Sequence, residues 1–172
     1  MFITYEEARK IRLSKNFTLD EFIYSSTALR KGIDNSLPTE LLPKLQYLVD
    51  TILQPLRDKF GPLKINSGYR SVELCITIGS NEHSNHAYGL AVDVEAYSHK
   101  VSNIMLLDYI ANNMEYKELI AEYFNKEVAT SGWVHVAAEE GNNKGGLKLK
   151  DKEHNYSNVE LAYLQELYPT EA

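Results

Sequence analysis

Three residues of this chain have the types and the spacing of a metal site: His86, Asp93 and His135. Zinc in hydrolases is usually held by three side chains drawn from His, Asp, Glu and Cys, and its fourth position is left to water. Such a zinc activates that water for attack on an amide carbonyl near neutral pH. The residue types predict one zinc ion, while the open position and the mixed nitrogen and oxygen ligands also fit cobalt or manganese.

The chain between His86 and Asp93 must bend if both are to reach one metal. Seven residues of helix would separate them by about 10 Å, and an odd offset in a strand places them on opposite faces. Gly89 lies in this interval and can adopt the backbone angles of a sharp bend. Residues 91–95 (AVDVE) and 133–136 (WVHV) both alternate as strands. If these strands are neighbours with their valines in the core, their metal ligands share the opposite face, about 5 Å apart. The alternative for each residue alone is an ordinary polar side chain on a solvated sheet face.

The motifs around these residues resemble the zinc D-alanyl-D-alanine carboxypeptidases, a family that has the hedgehog/DD-peptidase fold and includes phage endolysins. The likeness lies in SGYRS at 67–71, SxHxxGxAxD at 84–93 and WVH at 133–135, and upstream in NFTLDEF at 16–22, GIDN at 32–35 and LQPLR at 53–57. It covers roughly residues 16–138. The resemblance implies an α+β fold in which a small, mostly antiparallel sheet carries the zinc site and packs against helices.

The resemblance also implies roles for particular residues. In that family the residues matching the three metal ligands bind zinc. The arginine matching Arg70 contacts the substrate or the developing oxyanion, and the serine matching Ser84 lines the same site. A guanidinium stays charged at any working pH, so Arg70 is expected either to stabilise the oxyanion or to pair with a substrate carboxylate. Trp133 shares the strand face of the last ligand and is a candidate for stacking on a sugar or a peptide.

Hydrolysis also needs a general base, usually a carboxylate within reach of the water. Several relatives have an acidic residue three positions before the last histidine, but here that position is Gly132. The candidates are Glu122 and Glu127. Glu122 ends a strand-like segment that resembles one in phage members of the family, so we expect it to be the base, with Glu127 as the alternative. For either residue the competing interpretation is a solvated acid.

Other polar residues near the motifs are expected to be less important. His83 is interpreted as a surface histidine, with substrate orientation or proton transfer as the alternative. His99 and His154 are expected to be unrelated to the site. Cys75 stands where many relatives have Asn and is the only cysteine of the chain. A lone cysteine excludes an intrachain disulfide, and we expect a buried structural thiol.

The elements that must position these residues follow from periodicity and capping signals. Thr18 and Glu21 form a capping-box pattern that predicts a short helix, stopped by Gly32. Apolar residues recur at helical spacing from 41 to 60, with Pro38 in the first turn, a kink at Pro55 and an end at Gly61. The remaining predicted elements are a strand at 63–66 that leads into the loop bearing Arg70, a helix at 104–111 capped by Ser102, and a strand at 118–123.

The chain divides into a predicted zinc peptidase domain, 1–140, and a segment at 141–172 that we interpret as an appendage of the same domain. Residues 141–152 (GNNKGGLKLKDK) are polar and basic, which predicts a loop or linker. Apolar residues between 159 and 167 predict a C-terminal helix that docks on the domain or on another subunit.

Composition limits the classes of partner. The chain has 172 residues, of which 44% are hydrophobic, so one domain with a core is expected. The net charge of −6 argues against a nucleic-acid surface. The sequence after Met1 has no apolar run of the kind that predicts a signal peptide. The chain also has no apolar stretch long enough to predict a membrane helix. We therefore expect synthesis in a bacterial cytoplasm and action at the cell wall, as for a phage or prophage lysis protein.

Three functions remain open from the sequence. The first is a zinc metallopeptidase that uses metal-activated water to cut the peptide stem of peptidoglycan, as a D-alanyl-D-alanine carboxypeptidase or an endopeptidase of the L-alanyl-D-glutamate type. The second is a cell-wall-binding module that keeps zinc but lacks the base, which Gly132 favours. The third is a virion structural component.

Overall fold

The centre of the fold is a six-stranded sheet. The computed structural model describes residues 1–98, 100–128 and 130–168. The strands of this sheet are β3 (Leu63–Ser67), β4 (Ala91–Ala96), β5 (Glu118–Glu122), β6 (Trp133–Ala137), β7 (Leu147–Lys150) and β8 (Tyr156–Asn158), in the spatial order β3-β4-β6-β5-β7-β8. Only the β5–β7 pair is parallel. A second, two-stranded sheet pairs β1 (Phe2–Ile3) with β2 (Leu37–Pro38). The predicted α+β class with a mostly antiparallel sheet is confirmed.

The described residues also form eight α-helices. They are α1 (Tyr5–Ala8), α2 (Asp20–Ile23), α3 (Ser26–Lys31), α4 (Leu42–Leu48), α5 (Gln54–Phe60), α6 (Val72–Thr77), α7 (Asn103–Asn113) and α8 (Leu161–Leu167). The alternating valines of β4 and β6 are fully buried in one core with the apolar faces of α4, α5 and α7. Burial of these valines leaves the polar residues of the same strands on the opposite sheet face. Among the described residues, no helix is both long and apolar enough to cross a membrane.

The long helix predicted between Pro38 and Gly61 begins later than predicted, because Pro38 belongs to β2 and a 3₁₀ turn at Thr39–Leu41 precedes Leu42. The helix is also irregular in the middle. Residues Val49–Leu53 form a π-helical turn between α4 and α5, in which the Gln54 N–H donates to the Val49 carbonyl. Pro55 lacks an N–H, so the regular hydrogen-bond ladder cannot continue through this point. The predicted interruption at Pro55 therefore takes the form of a wider turn.

The helix predicted after Thr18 is two short helices rather than one. Glu21 reaches back as expected, since its Oε1 accepts from the Thr18 N–H at 2.9 Å. The helix nevertheless ends at Ile23, because Ser25 caps a new helix by accepting from the Ala28 N–H at 3.2 Å. Gly32, with φ at 66°, ends that second helix.

The segment after residue 140 is more ordered than the sequence predicts. The prediction of a loop is wrong for Leu147–Lys150, which forms β7 and pairs with β5. Leu147 belongs to the main core and Leu149 packs against it. These apolar contacts hold the lysine-rich strand in the sheet. The predicted C-terminal helix is present as α8, which packs on α7 and buries Leu164.

Candidate metal centre

The structure brings the three predicted ligands together at one point. His86 Nε2 lies 3.2 Å from His135 Nδ1 and 3.3 Å from Asp93 Oδ1, and His135 Nδ1 lies 2.9 Å from the same oxygen. The three residues are 2%, 6% and 4% exposed, in the order His86, His135, Asp93. Ligand atoms at about 2.0–2.1 Å around a tetrahedral zinc are roughly 3.3 Å apart. The observed separations therefore fit one zinc ion.

Local backbone geometry explains how His86 and Asp93 meet. His86 lies in a short 3₁₀ turn, Asn85–Tyr88, and Gly89 follows it with φ at 66°. This left-handed conformation is readily adopted by glycine, and it turns the chain into β4. In the sheet, Asp93 is directly opposite His135. The predicted bend and the predicted cross-strand pair are both confirmed.

Each ligand also contacts a second group through its other polar atom. His86 Nδ1 lies 2.6 Å from the Gly68 carbonyl, which fixes Nε2 as the atom available to a metal. Asp93 Oδ2 accepts from Arg70 Nη2. His135 Nε2 lies 3.4 Å from Glu118 Oε1, a contact that lacks the alignment of a hydrogen bond. Such partners orient the ligands and tune their basicity.

In the metal-free cluster His86 and Asp93 are already in the form that binds a metal, whereas His135 is not. Burial lowers the pKa of His86, which keeps it neutral. Burial alone would raise the pKa of Asp93, but His86 and His135 lower it well below its usual range. Burial opposes protonation of His135, but Asp93 and Glu118 together raise its pKa to about 9. The metal-free cluster therefore holds an anionic Asp93 and a cationic His135, which carries one proton more than the neutral imidazole.

Zinc affinity is expected to depend on pH because zinc must displace that proton. The pKa of His135 is raised to about 9, so the residue is protonated below this value in the metal-free protein. We expect zinc affinity to rise about tenfold per pH unit between about pH 7 and 9, with release of about one proton per zinc. Calorimetry in buffers of different ionisation enthalpy measures both quantities. Glu118→Gln should lower the pH above which the zinc affinity no longer rises. A zinc affinity that is independent of pH in the wild-type protein would contradict the expectation.

Arg70 is held next to the cluster by the loop after β3. Its Nε donates to Ser67 Oγ at 2.7 Å, and its Nη2 donates to Asp93. Asn35 fixes this loop, since its Oδ1 accepts from the Ser71 N–H at 2.7 Å and its Nδ2 donates to the Tyr69 carbonyl at 3.2 Å. Within the described residues, Nη1 is the nitrogen of Arg70 left for a substrate. Neither of the two predicted duties of Arg70 anticipated its contact with a metal ligand.

A cleft of about 980 Å³ opens over the cluster. Its wall includes Arg70, Ser84, Trp133 and Glu122 from the predicted site. The Ser84 hydroxyl accepts from the His86 N–H at 3.3 Å and so supports the turn that holds this ligand. Glu127 is exposed and is not part of the wall. Of the two candidate bases, Glu122 is therefore the one that reaches the cleft.

Packing explains why position 132 is glycine. A Cβ there would lie 2.1 Å from the Glu122 carbonyl oxygen and 2.8 Å from the backbone nitrogen of Phe124. Gly132 also has φ at 64°, a conformation that other L-residues rarely adopt. An acidic side chain cannot be accommodated at this position, so a base must come from another position, and Glu122 of β5 lines the cleft.

Gly132→Ala is expected to lower the free energy of unfolding by at least about 3 kcal/mol, because backbone atoms must move to admit the methyl group. Gly141→Ala is the matched control, since Gly141 has φ at 75° but no atom within 4 Å of a Cβ. In the control the free energy of unfolding should fall only by about 1–2 kcal/mol, which is what the left-handed conformation costs a residue with a Cβ. Urea unfolding of both variants measures the difference, and equal losses would show that the close approach is unimportant.

Several cleft residues were not predicted. Glu118 lines the cleft and lies on the same strand face as Glu122. The alternation of side chains along a strand was the sequence signal that could have predicted this placement. Lys148 and Lys150 come from β7, which the sequence did not predict. Cys75 is buried as expected, and His99 lies outside the described residues.

The expectation that His154 is unrelated to the site is wrong. His154 lines the same cleft, and its Nδ1 lies 2.6 Å from the Tyr123 hydroxyl. The residue lies in the turn between β7 and β8, so its placement depends on a strand that the sequence did not predict. His83 is exposed at another part of the wall.

A buried His, Asp and His triad that opens into a cleft is the arrangement of a mononuclear metallohydrolase. Comparison with known families matches residues 15–137 to the family described as Peptidase M15. Because this match spans more than half of the chain, the protein belongs to the M15 peptidase family and has its α+β fold. No curated protein sequence matches the chain. M15 peptidases are zinc-dependent and act on peptide substrates, and the cluster found here could bind such a metal.

Proposed function

We propose that the protein is a zinc metallopeptidase that hydrolyses an amide bond in the peptide stem of bacterial peptidoglycan. The observation that supports it best is the convergence of His86 Nε2, Asp93 Oδ1 and His135 Nδ1 at the base of an open cleft. Membership of the M15 family supports a peptidase. The resemblance of the sequence motifs to D-alanyl-D-alanine carboxypeptidases supports peptidoglycan as the substrate.

The chain supplies distinct groups for each requirement of amide hydrolysis. A zinc ion held by the triad would polarise the carbonyl and lower the pKa of a water molecule. Glu122, on the sheet face of His135, is proposed to accept a proton from the attacking water and to pass it to the leaving amine. Arg70 Nη1 is proposed to donate to the developing oxyanion or to a substrate carboxylate.

The neighbours of Glu122 keep its carboxylate in the cleft. Its Oε2 lies 3.1 Å from Lys150 Nζ, and the residue is largely buried. A salt bridge that is screened from solvent restricts the side chain to few rotamers, which favours a defined position relative to the substrate. Because Lys150 belongs to β7, the segment outside the family match contributes to the proposed active site.

A cell-wall-binding module without hydrolysis is the second candidate. The absence of an acidic residue at Gly132 favours it, since this is the position that supplies an acid in several relatives. The two candidates differ in whether Glu122 replaces that acid. In either case we propose action at the bacterial cell wall, with a phage or prophage lysis protein as the biological context.

Mass spectrometry of purified muropeptides incubated with the zinc-loaded protein tests the proposal. We expect fragment masses that identify cleavage at D-alanyl-D-alanine or at L-alanyl-D-glutamate, and no product after chelation. Walls of several chemotypes should be used, because the stem sequence differs among them. If the metallated protein releases no product from any of these walls, the peptidase proposal fails and the binding module takes its place.

A further inference from the structure

The wall of the cleft extends beyond the metal cluster. Part of it is formed by the β7–β8 hairpin, which supplies Lys150, His154 and Tyr156. This hairpin lies outside residues 15–137, the part of the chain matched to the M15 family. This part of the cleft wall therefore comes from residues beyond the matched peptidase region.

Lys150 is held between two aromatic rings. Its Nζ lies 5.1 Å from the ring centroid of Tyr123 and 5.1 Å from that of Tyr156. Its side chain is only 16% exposed, and its charge is compensated by Glu122. Burial alone would lower the pKa of Lys150, but contacts with Tyr156 and Glu122 raise it above its usual range. The ammonium group therefore stays charged and fixes the positions of both rings.

Tyr123 is turned into the cleft by an unusual backbone conformation. Its φ is 57°, in the left-handed region that non-glycine residues rarely adopt. Regular strand alternation would put Glu122 and Tyr123 on opposite faces, but both line the cleft. Tyr123 is held there by its N–H, which donates to the Lys150 carbonyl at 3.0 Å, and by its ring, whose centroid lies 4.9 Å from that of Trp133.

The groups around Lys150 favour a neutral, hydroxyl-rich ring over other ligands. Tyr156 is 56% exposed and offers an aromatic surface beside the donors of His154 and Lys150. A carboxylate would compete with Glu122 for Lys150, and a purely apolar ligand would leave the polar groups without partners. A pyranose has a flat C–H face that packs on an aromatic ring and hydroxyls that bond with the adjacent polar groups.

We propose that Tyr123, Trp133, His154 and Tyr156 form a sugar subsite that binds a pyranose ring of the glycan strand to which the stem peptide is attached. The role in peptidoglycan recognition rests on the proposed function, because glycan and stem belong to the same polymer. The sugar subsite would let the enzyme engage a stem that is still linked to its glycan. His154 and Tyr156 lie outside the family match, so this half of the subsite is a specificity element that the hairpin adds to the matched region.

Titration of the zinc-loaded protein with N-acetylglucosamine oligomers tests the sugar subsite directly. Trp133 is the only tryptophan of the chain, so intrinsic fluorescence reports on this subsite. We expect a saturable fluorescence change, weakened about tenfold or more by Tyr156→Ala and retained in Tyr156→Phe. Tyr97→Ala, which removes a tyrosine that is 70% exposed away from the cleft wall, is the matched control. Calorimetry that detects no binding, or equal affinity in Tyr156→Ala, overturns the proposal.

Kinetics separate this proposal from the proposed function. Tyr156→Ala should raise KM for a glycan-bearing muropeptide and leave KM for the free stem peptide unchanged. Equal changes for both substrates would make this a peptide subsite and overturn the sugar proposal. Sugar binding by a protein that cuts no muropeptide would refute the peptidase while supporting the subsite.

Discussion

Glutamine in place of Glu122 is expected to lower kcat for stem-peptide hydrolysis by about 10²–10⁴-fold, the usual contribution of a general base. The substitution keeps the size of the side chain, and the amide oxygen still accepts from Lys150, so the fold and the zinc content should be unchanged. What is lost is a carboxylate that takes up a proton. The measurement is kcat and KM on a defined muropeptide, with metal content determined on the same samples.

Two matched variants make the test of Glu122 specific. Glu127→Gln alters the other sequence-predicted base, which is exposed and outside the cleft wall, and should leave kcat unchanged. Glu118→Gln alters a carboxylate beside His135 and should act mainly through zinc affinity, by about 10–100-fold. Full activity in Glu122→Gln would remove it as the base and leave Glu118 as the remaining candidate on β5.

Alanine in place of His86 is expected to abolish zinc binding at working concentrations, with an affinity loss on the order of 10³-fold. Only two of the three ligands would remain, and the second contact of His86, with the Gly68 carbonyl, would be lost as well. Stabilisation by zinc should vanish with it, since a ligand present at about 1,000 times its Kd stabilises by about 4 kcal/mol. Metal analysis and the zinc-dependent shift in Tm measure the two effects.

His83→Ala is the control for His86→Ala. His83 lies three residues earlier and is exposed, so its removal should leave the zinc stoichiometry and the zinc-dependent Tm shift as in wild type. A His86→Ala protein that still binds one zinc ion with unchanged affinity would contradict the assignment of this residue as a ligand. The zinc-free variant would also show how much of the stability depends on the protein alone.

The hairpin of β7 and β8 connects the metal centre with the sugar subsite. Lys148 and Lys150 pair with Glu118 and Glu122, which are adjacent on one face of β5. Changes at these two lysines are therefore expected to alter the positions of both carboxylates, including that of the proposed base. A peptidase domain limited to residues 15–137 would lack both lysines and would position these carboxylates differently.

Local sequence patterns were sufficient to predict the elements that hold the ligands. Alternation of valines with polar residues predicted that Asp93 and His135 share the sheet face opposite the valines if their strands are neighbours, and Gly89 predicted the bend before β4. These features depend on residue spacing and on the conformational freedom of glycine, which are properties of the chain itself. The residue spacing accordingly permitted the metal cluster, and the resemblance of the motifs to the zinc D-alanyl-D-alanine carboxypeptidases implied the α+β fold.

The tertiary structure decided the features that depend on distant partners. Residues 147–150 form a strand because β5 offers a free edge beside them and the core accepts their leucines, whereas their lysines by themselves favour a loop. Gly132 has no side chain because the backbone of β5 passes against it. Glu118 and His154 reach the cleft through the same long-range packing. Short-range periodicity determines which residues share a face, but only the pairing of strands far apart in the chain determines which faces meet.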